Sequence, residues 1–208
     1  MQTALDTELF PDLCEVAFLP LHNQWVYLIQ KNGSSSLRNQ QSQDNLAMFT
    51  NDEILSLDYV DVYIRNPQAR YISGVNTYLQ FLQRDYPELD YSTAFWFAKR
   101  YKFLNTHYLP QFHWLANLSR YLRSDTKIRF RNFKDFGAIT RFKFHADVIP
   151  PTQDFVNSLL TDNNGIELWL YLDQILLDLS GSMFTWDELL EYYHCNHKNI
   201  IEHVLPKT

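Results

Sequence analysis

Apolar positions along this chain fall into two periods, and their alternation predicts an α/β protein. Gln24–Gln30 is a compact run with Val26, Tyr27, Leu28 and Ile29, which suits a buried strand. Gly33 and the serines after it mark a turn, and a helix is expected to start within Ser34–Ser36 and reach about Met48. Asn51–Leu57 reads as a short connector and Tyr59–Arg65 as a second strand. Pro67 fits the first turn of the next helix, where its missing N–H costs nothing. Tyr71, Val75, Tyr78, Leu79 and Leu82 give that helix one apolar face. Ser92–Leu104 and Phe112–Leu122 read as helices separated by Pro110. Thr126–Phe133 alternates Ile128 and Phe130 with basic residues, as a strand with one buried face does. Phe142–His145 is a short strand or an irregular link. Thr152–Leu160 reads as a helix capped by Thr152, and Ile166–Leu179 as an apolar helix ended by Gly181. Thr185-Trp-Asp-Glu188 is a capping box opening a last helix through about Val204. Residues 1–22 are mixed, and Pro11 and Pro20 break any long element. The expected architecture is a short parallel sheet flanked by helices, with helical C-terminal additions, in a single domain over residues 1–208.

Composition narrows the function classes. Hydrophobic residues make up 46% of the 208, enough for a sizeable core. Aromatic residues, at 16%, suit a core or a cleft equally. The net charge of −6 argues against a nucleic-acid or anionic-membrane partner. Charge is uneven, however. Arg120, Arg123, Lys127, Arg129, Arg131, Lys134, Arg141 and Lys143 form a basic stretch broken only by Asp125 and Asp135, either a solvated face or an anion site. Cys14 and Cys195 lack metal or redox spacing and read as free thiols. With no apolar run of ~18–20 residues and no signal-peptide pattern, a soluble cytoplasmic protein is expected. His194, Cys195, His197 and His203 cluster near the end, but zinc needs a well-placed fourth ligand, so no metal is expected.

The informative chemistry lies at two strand ends. A strand running into a helix N-terminus presents unpaired N–H groups and a favourable dipole to an anion. The first turn, Lys31-Asn-Gly33-Ser34-Ser35-Ser36, adds an amine, hydroxyls and a glycine that lets backbone approach closely. It is not a Walker A loop, because its lysine precedes the only glycine. The second turn places Arg65 at a strand end and Ser73 in the following helix, able to meet on one anion if the loop folds back. Arg70 reads as a surface ion pair, and Trp114 as core rather than as a sugar-stacking platform.

In this order along the chain, these segments resemble sulfotransferases that use 3′-phosphoadenosine 5′-phosphosulfate. Lys31-x-Gly33-Ser-Ser-Ser36 is similar to the 5′-phosphosulfate loop, and Arg65-x-Pro67-x-x-Arg70-x-x-Ser73-Gly74 to the 3′-phosphate motif. Thr106-His107-Tyr-Leu-Pro110-Gln111 resembles the His-aromatic-x-Pro-Gln stretch of carbohydrate sulfotransferases. The resemblance covers roughly residues 22–135 and implies a P-loop-like fold. It implies that Lys31, Gly33, Ser34, Ser35 and Ser36 hold the 5′-phosphate and sulfuryl group, and that Arg65 and Ser73 hold the 3′-phosphate. It gives Lys31 and His107 catalytic roles and calls for no metal. His107 would deprotonate or orient an acceptor hydroxyl, although a packing or capping histidine fits the same position. The implied acceptor is a small molecule or glycan. Two departures stand out: Asn105-Thr106 replaces the acidic residue often found before the histidine, and no late cation clearly closes over the 3′-phosphate, Arg129, Arg131 and Arg141 being candidates. The rival readings are a non-catalytic nucleotide- or glycan-binding protein of the same fold, or a nucleotide or nucleoside kinase.

Overall fold

The computed structural model describes residues 15–32, 34, 51–90, 92–93, 95–96, 106–138, 150–161 and 166–204. Five strands form one sheet in chain order: β1 (Val16–Leu19), β2 (Gln24–Tyr27), β3 (Tyr59–Ile64), β4 (Lys127–Asn132) and β5 (Met183–Phe184). β2, β3 and β4 run parallel, while β1 and β5 pair antiparallel at the edges. The α/β class is as expected, but the sheet is mixed rather than parallel throughout. The reason lies in the connections. A 3-10 turn at Pro20–His22, closed by Asn23 in the left-handed region, is too short for anything but an antiparallel return. β5 reaches its place by a long helical connection from β4; Gly181, at φ +93°, turns the chain out of the preceding helix into it, and its N–H donates to the Phe130 carbonyl at 2.9 Å. β5, of two residues, is too short for an apolar period to reveal, and β1 lies in the mixed stretch that Pro20 cuts short.

Six helices accompany the sheet among the described residues: α1 (Asn51–Ile54), α2 (Pro67–Asp85), α3 (Gln111–Leu118), α4 (Pro150–Thr161), α5 (Ile166–Asp178) and α6 (Trp186–Val204). Asn66 caps α2 by accepting the Ala69 N–H at 2.9 Å, with Pro67 next in line. The capping box of α6 forms as expected: Thr185 N–H donates to Glu188 Oε2 at 2.7 Å, and Glu188 N–H to Thr185 Oγ1 at 3.2 Å. Thr152 is not a cap. It lies inside α4, buried, with its hydroxyl 3.4 Å from Asn76 Oδ1. The helix expected over 34–48 lies outside the described residues except for Ser34. The strand or link at 142–145 lies wholly outside them, and the helix over 92–104 largely so.

Each sheet face buries its own set. Val60, Val62, Ile64, Ile128 and Phe130 pack against Phe112, Trp114 and Leu115 of α3, Leu172 and Leu176 of α5, and Tyr193 of α6. Trp114 is therefore core, as expected. The opposite face carries Val26, Leu28, Tyr63 and Phe136. It also carries Asp61, fully buried, whose carboxylate accepts both Nε and Nη2 of Arg129 at 2.6 Å and Nε of Arg131 at 2.9 Å. Much of the basic stretch is thereby explained. Lys127 pairs with Glu188 at 2.8 Å, and Arg123 with Asp58 and Asp125 at 3.0 and 2.9 Å. Arg141 and Lys143 lie outside the described residues. Among the described residues no helix is long and apolar enough to cross a membrane.

Candidate functional site

Because β2 and β3 are parallel neighbours, with Val26 opposite Asp61, the chain leaves both at the same sheet edge. Lys31 and Arg65 stand at that edge. Arg65 Nη1 donates to the Lys31 carbonyl at 2.9 Å, and its guanidinium lies 5.5 Å from the Phe133 ring centroid. Lys31 itself is held at φ +66°, a conformation that disfavours every side chain but glycine's absence of one. Its amine donates to Thr77 Oγ1 on α2, and that hydroxyl donates to the Ser73 carbonyl at 3.2 Å. Burial, reinforced by the positive charges of Arg65 and Arg70, pulls the Lys31 amine down to about 8.

Arg70 is no surface ion pair. It is 1% exposed, and burial pulls its guanidinium down to about 10 against the attraction of Asp173. Its Nε donates to the Gln30 carbonyl at 3.2 Å and its Nη1 to the Leu109 carbonyl. Residues 70–79 of α2 are all buried, so the middle of a helix read as having one apolar face is enclosed on every side. The site thus gathers three cations, Lys31, Arg65 and Arg70, within electrostatic reach of one another, with Asp173 as the carboxylate facing Arg70.

Gln111 ties this edge together. Its Oε1 accepts the Arg65 N–H at 2.8 Å and Asn32 Nδ2 at 2.6 Å, while its Nε2 donates to the Arg65 carbonyl at 2.9 Å. One side-chain amide thus pairs with Arg65 as a neighbouring strand would, just where the ladder of β3 ends. Asn32 Nδ2 also donates to the Tyr63 carbonyl at 2.7 Å. Asp173 completes the arrangement from α5, accepting the N–H groups of Gln111 and Phe112 at 2.7 and 2.8 Å. These are the orphan donors at the start of α3, so Asp173 caps that helix from another element. Burial nonetheless raises its carboxyl to about 6.

Of the residues singled out in the sequence, Lys31 and Arg65 meet directly. Ser73 is buried one turn before Thr77, the residue Lys31 reaches, and its carbonyl joins that chain of hydrogen bonds. Ser34 is buried, whereas Gly33, Ser35 and Ser36 lie outside the described residues. His107 sits in a 3-10 turn, Thr106–Tyr108, packed on α2 with its ring edge-on to Phe81 at 5.4 Å. Phe81 is one helical turn beyond Thr77, about 6 Å along the axis. Gly74 permits this packing: a Cβ there would lie 2.4 Å from the His107 carbonyl oxygen. His113, six residues on, is held near 4 by burial and by Arg120, so it is neutral at physiological pH. Arg129 and Arg131, candidates for a closing cation, are engaged with Asp61. Among the described residues no three His, Cys, Asp or Glu side chains group as metal ligands would.

Thr77 and Asp173 belong to the site without having been singled out. Thr77 was findable as the i+4 neighbour of Ser73 on one helix face. Asp173 was findable as an acid in the middle of an apolar helix, a buried-polar signal. The chain matches no protein-family model, no curated protein and no solved structure.

Proposed function

We propose that this chain transfers a sulfuryl group from 3′-phosphoadenosine 5′-phosphosulfate to the hydroxyl of a small-molecule or glycan acceptor. The observation that carries the reading is the meeting of Lys31 and Arg65 in the turns that follow two adjacent parallel strands, four residues past β2 and one past β3, with the Arg65 guanidinium on the Lys31 carbonyl. One doubly anionic ligand across this edge would engage both cations. A P-loop-like sulfotransferase fold and a cytoplasmic location are parts of the same proposal.

In the proposed step the acceptor oxygen attacks sulfur in line as the bond from sulfur to the bridging phosphate oxygen breaks. The acceptor proton passes to His107, and the leaving oxygen takes the negative charge. Such transfers depend on positioning and on charge stabilisation more than on covalent help. Lys31 suits the leaving oxygen, being a mobile point charge already drawn out of bulk water. Arg65 and Ser73 are assigned to the 3′-phosphate, and Gly33 and Ser34–Ser36 to the 5′ end. No metal takes part.

The test is a melt with and without adenosine 3′,5′-bisphosphate. At a hundredfold excess over Kd, binding adds about 2.7 kcal/mol, roughly 5–10 °C for a chain of this size. Lys31→Ala should remove the shift. Stabilisation by ATP with magnesium instead would favour a kinase, and no response to either would count against the donor site. If the bisphosphate binds but labelled sulfate reaches no acceptor, the protein is a non-catalytic binder.

A further inference from the structure

Arg70 takes no part in the step above, yet it touches both segments that carry it. Gln30, whose carbonyl accepts from Arg70 Nε at 3.2 Å, immediately precedes Lys31. Leu109, whose carbonyl accepts from Nη1, lies between His107 and Gln111. Asp173 faces Arg70 from α5, but its two oxygens take the Gln111 and Phe112 amides. Nη2 is buried without a hydrogen-bond partner among the described residues. Arg65, directly after β3, and Lys31, in the turn four residues past β2, stand close enough for like-charge repulsion. A buried guanidinium is costly unless charge and hydrogen bonds offset it. Here the hydrogen bonds join two loops, and the charge is directed at the same edge as the other two cations.

We propose that Arg70 is the positioning residue of this site: it locks the carbonyl before Lys31 to the segment bearing His107 and Gln111, and it adds a third positive charge beneath the bound anion. Its role in transfer rests on the sulfotransferase reading; its hold on Lys31 does not.

The experiment uses the full chain with Arg70→Met and Arg70→Lys. The Lys31 amine is titrated by pulsed acetic anhydride labelling and mass spectrometry across pH 6–11. The groups facing it are Arg65 from β3, and Arg70 and Thr77 from α2. The wild-type midpoint is expected near 8, higher in Arg70→Met, and unchanged in Arg70→Lys, which keeps the charge. Arg70→Lys is expected to bind adenosine 3′,5′-bisphosphate about tenfold more weakly, because an ammonium cannot fork two carbonyls. An unmoved Lys31 midpoint in folded Arg70→Met overturns the electrostatic role. Wild-type affinity in Arg70→Lys overturns the positioning role, and decides the matter alone if Arg70→Met does not fold. If the wild type binds no bisphosphate, the functional reading fails, while the labelling midpoint still decides whether Arg70 acts on Lys31.

Discussion

At the scale of single residues, Lys31 combines chemistry and conformational cost. A non-glycine side chain in the left-handed region costs on the order of 1 kcal/mol, and such residues gather where a site over-determines them. Lys31→Gly should therefore leave the protein as stable as the wild type or more so by urea unfolding, while abolishing its response to adenosine 3′,5′-bisphosphate. Lys31→Ala, which keeps the strained φ and loses the contact to Thr77, should be the less stable of the two. A Lys31→Gly protein that still binds would detach the amine from the ligand. Gly74 is the converse case, a helical glycine present for space. An added methyl would meet the His107 carbonyl oxygen and Tyr108 Cβ at 2.4 and 2.6 Å, and the 3-10 turn would have to retreat. Gly74→Ala should cost about 1–3 kcal/mol despite alanine's better helix propensity. It should also change the ring-current shift that Phe81 imposes on His107 in proton NMR.

At the scale of elements, the informative contact is between helices distant in sequence. α3 starts where its N–H groups meet Asp173 of α5, and Gln111 then reaches back to the last ladder position of β3. The pH behaviour follows from the buried carboxyl, raised from 3.8 to about 6. Between these values the folded state keeps a proton that the unfolded state has released, so stability contributed by Asp173 is greatest below pH 4. It declines as pH rises to about 6 and stays low above. Two pKa units correspond to about 3 kcal/mol. The stability difference between wild type and Asp173→Asn should therefore shift by about that amount against the wild type between pH 4 and 7, measured by urea unfolding at each pH. A difference independent of pH would mean that the folded-state carboxyl of Asp173 is not raised above its unfolded value.

At the scale of the molecule, an acidic protein concentrates cations at one sheet edge, so anion affinity should depend on pH through the lysine rather than on net charge. As Lys31 deprotonates above about pH 8, calorimetric Kd values for adenosine 3′,5′-bisphosphate should rise, approaching tenfold per pH unit. A flat profile to pH 9.5 would place Lys31 outside the site. Much of the frame was legible locally. The apolar runs of β2, β3 and β4, the Pro67 start of α2 and the Thr185–Glu188 box depend on neighbours within a turn or a strand. Arg65 follows β3 at once, as expected, whereas the strand expected through Gln30 ends at Tyr27 and leaves Lys31 in a turn four residues on. Pairing was not legible. The antiparallel edges, the meeting of Lys31 and Arg65 34 residues apart, the enclosure of Arg70 and the reach of Asp173 to Gln111 all join distant segments. Periodicity reports which residues share a face, not what covers that face. An arginine beside a tyrosine on a polar-looking helix turn is a surface residue until a second layer closes over it. The sequence by itself therefore determined the central strands, the long helices and the chemical groups near their ends, while β1, β5 and the short helix α1 were not foreseen. Only the tertiary structure decided which of those groups share buried, low-dielectric surroundings, because burial and like-charge proximity are properties of segments brought together.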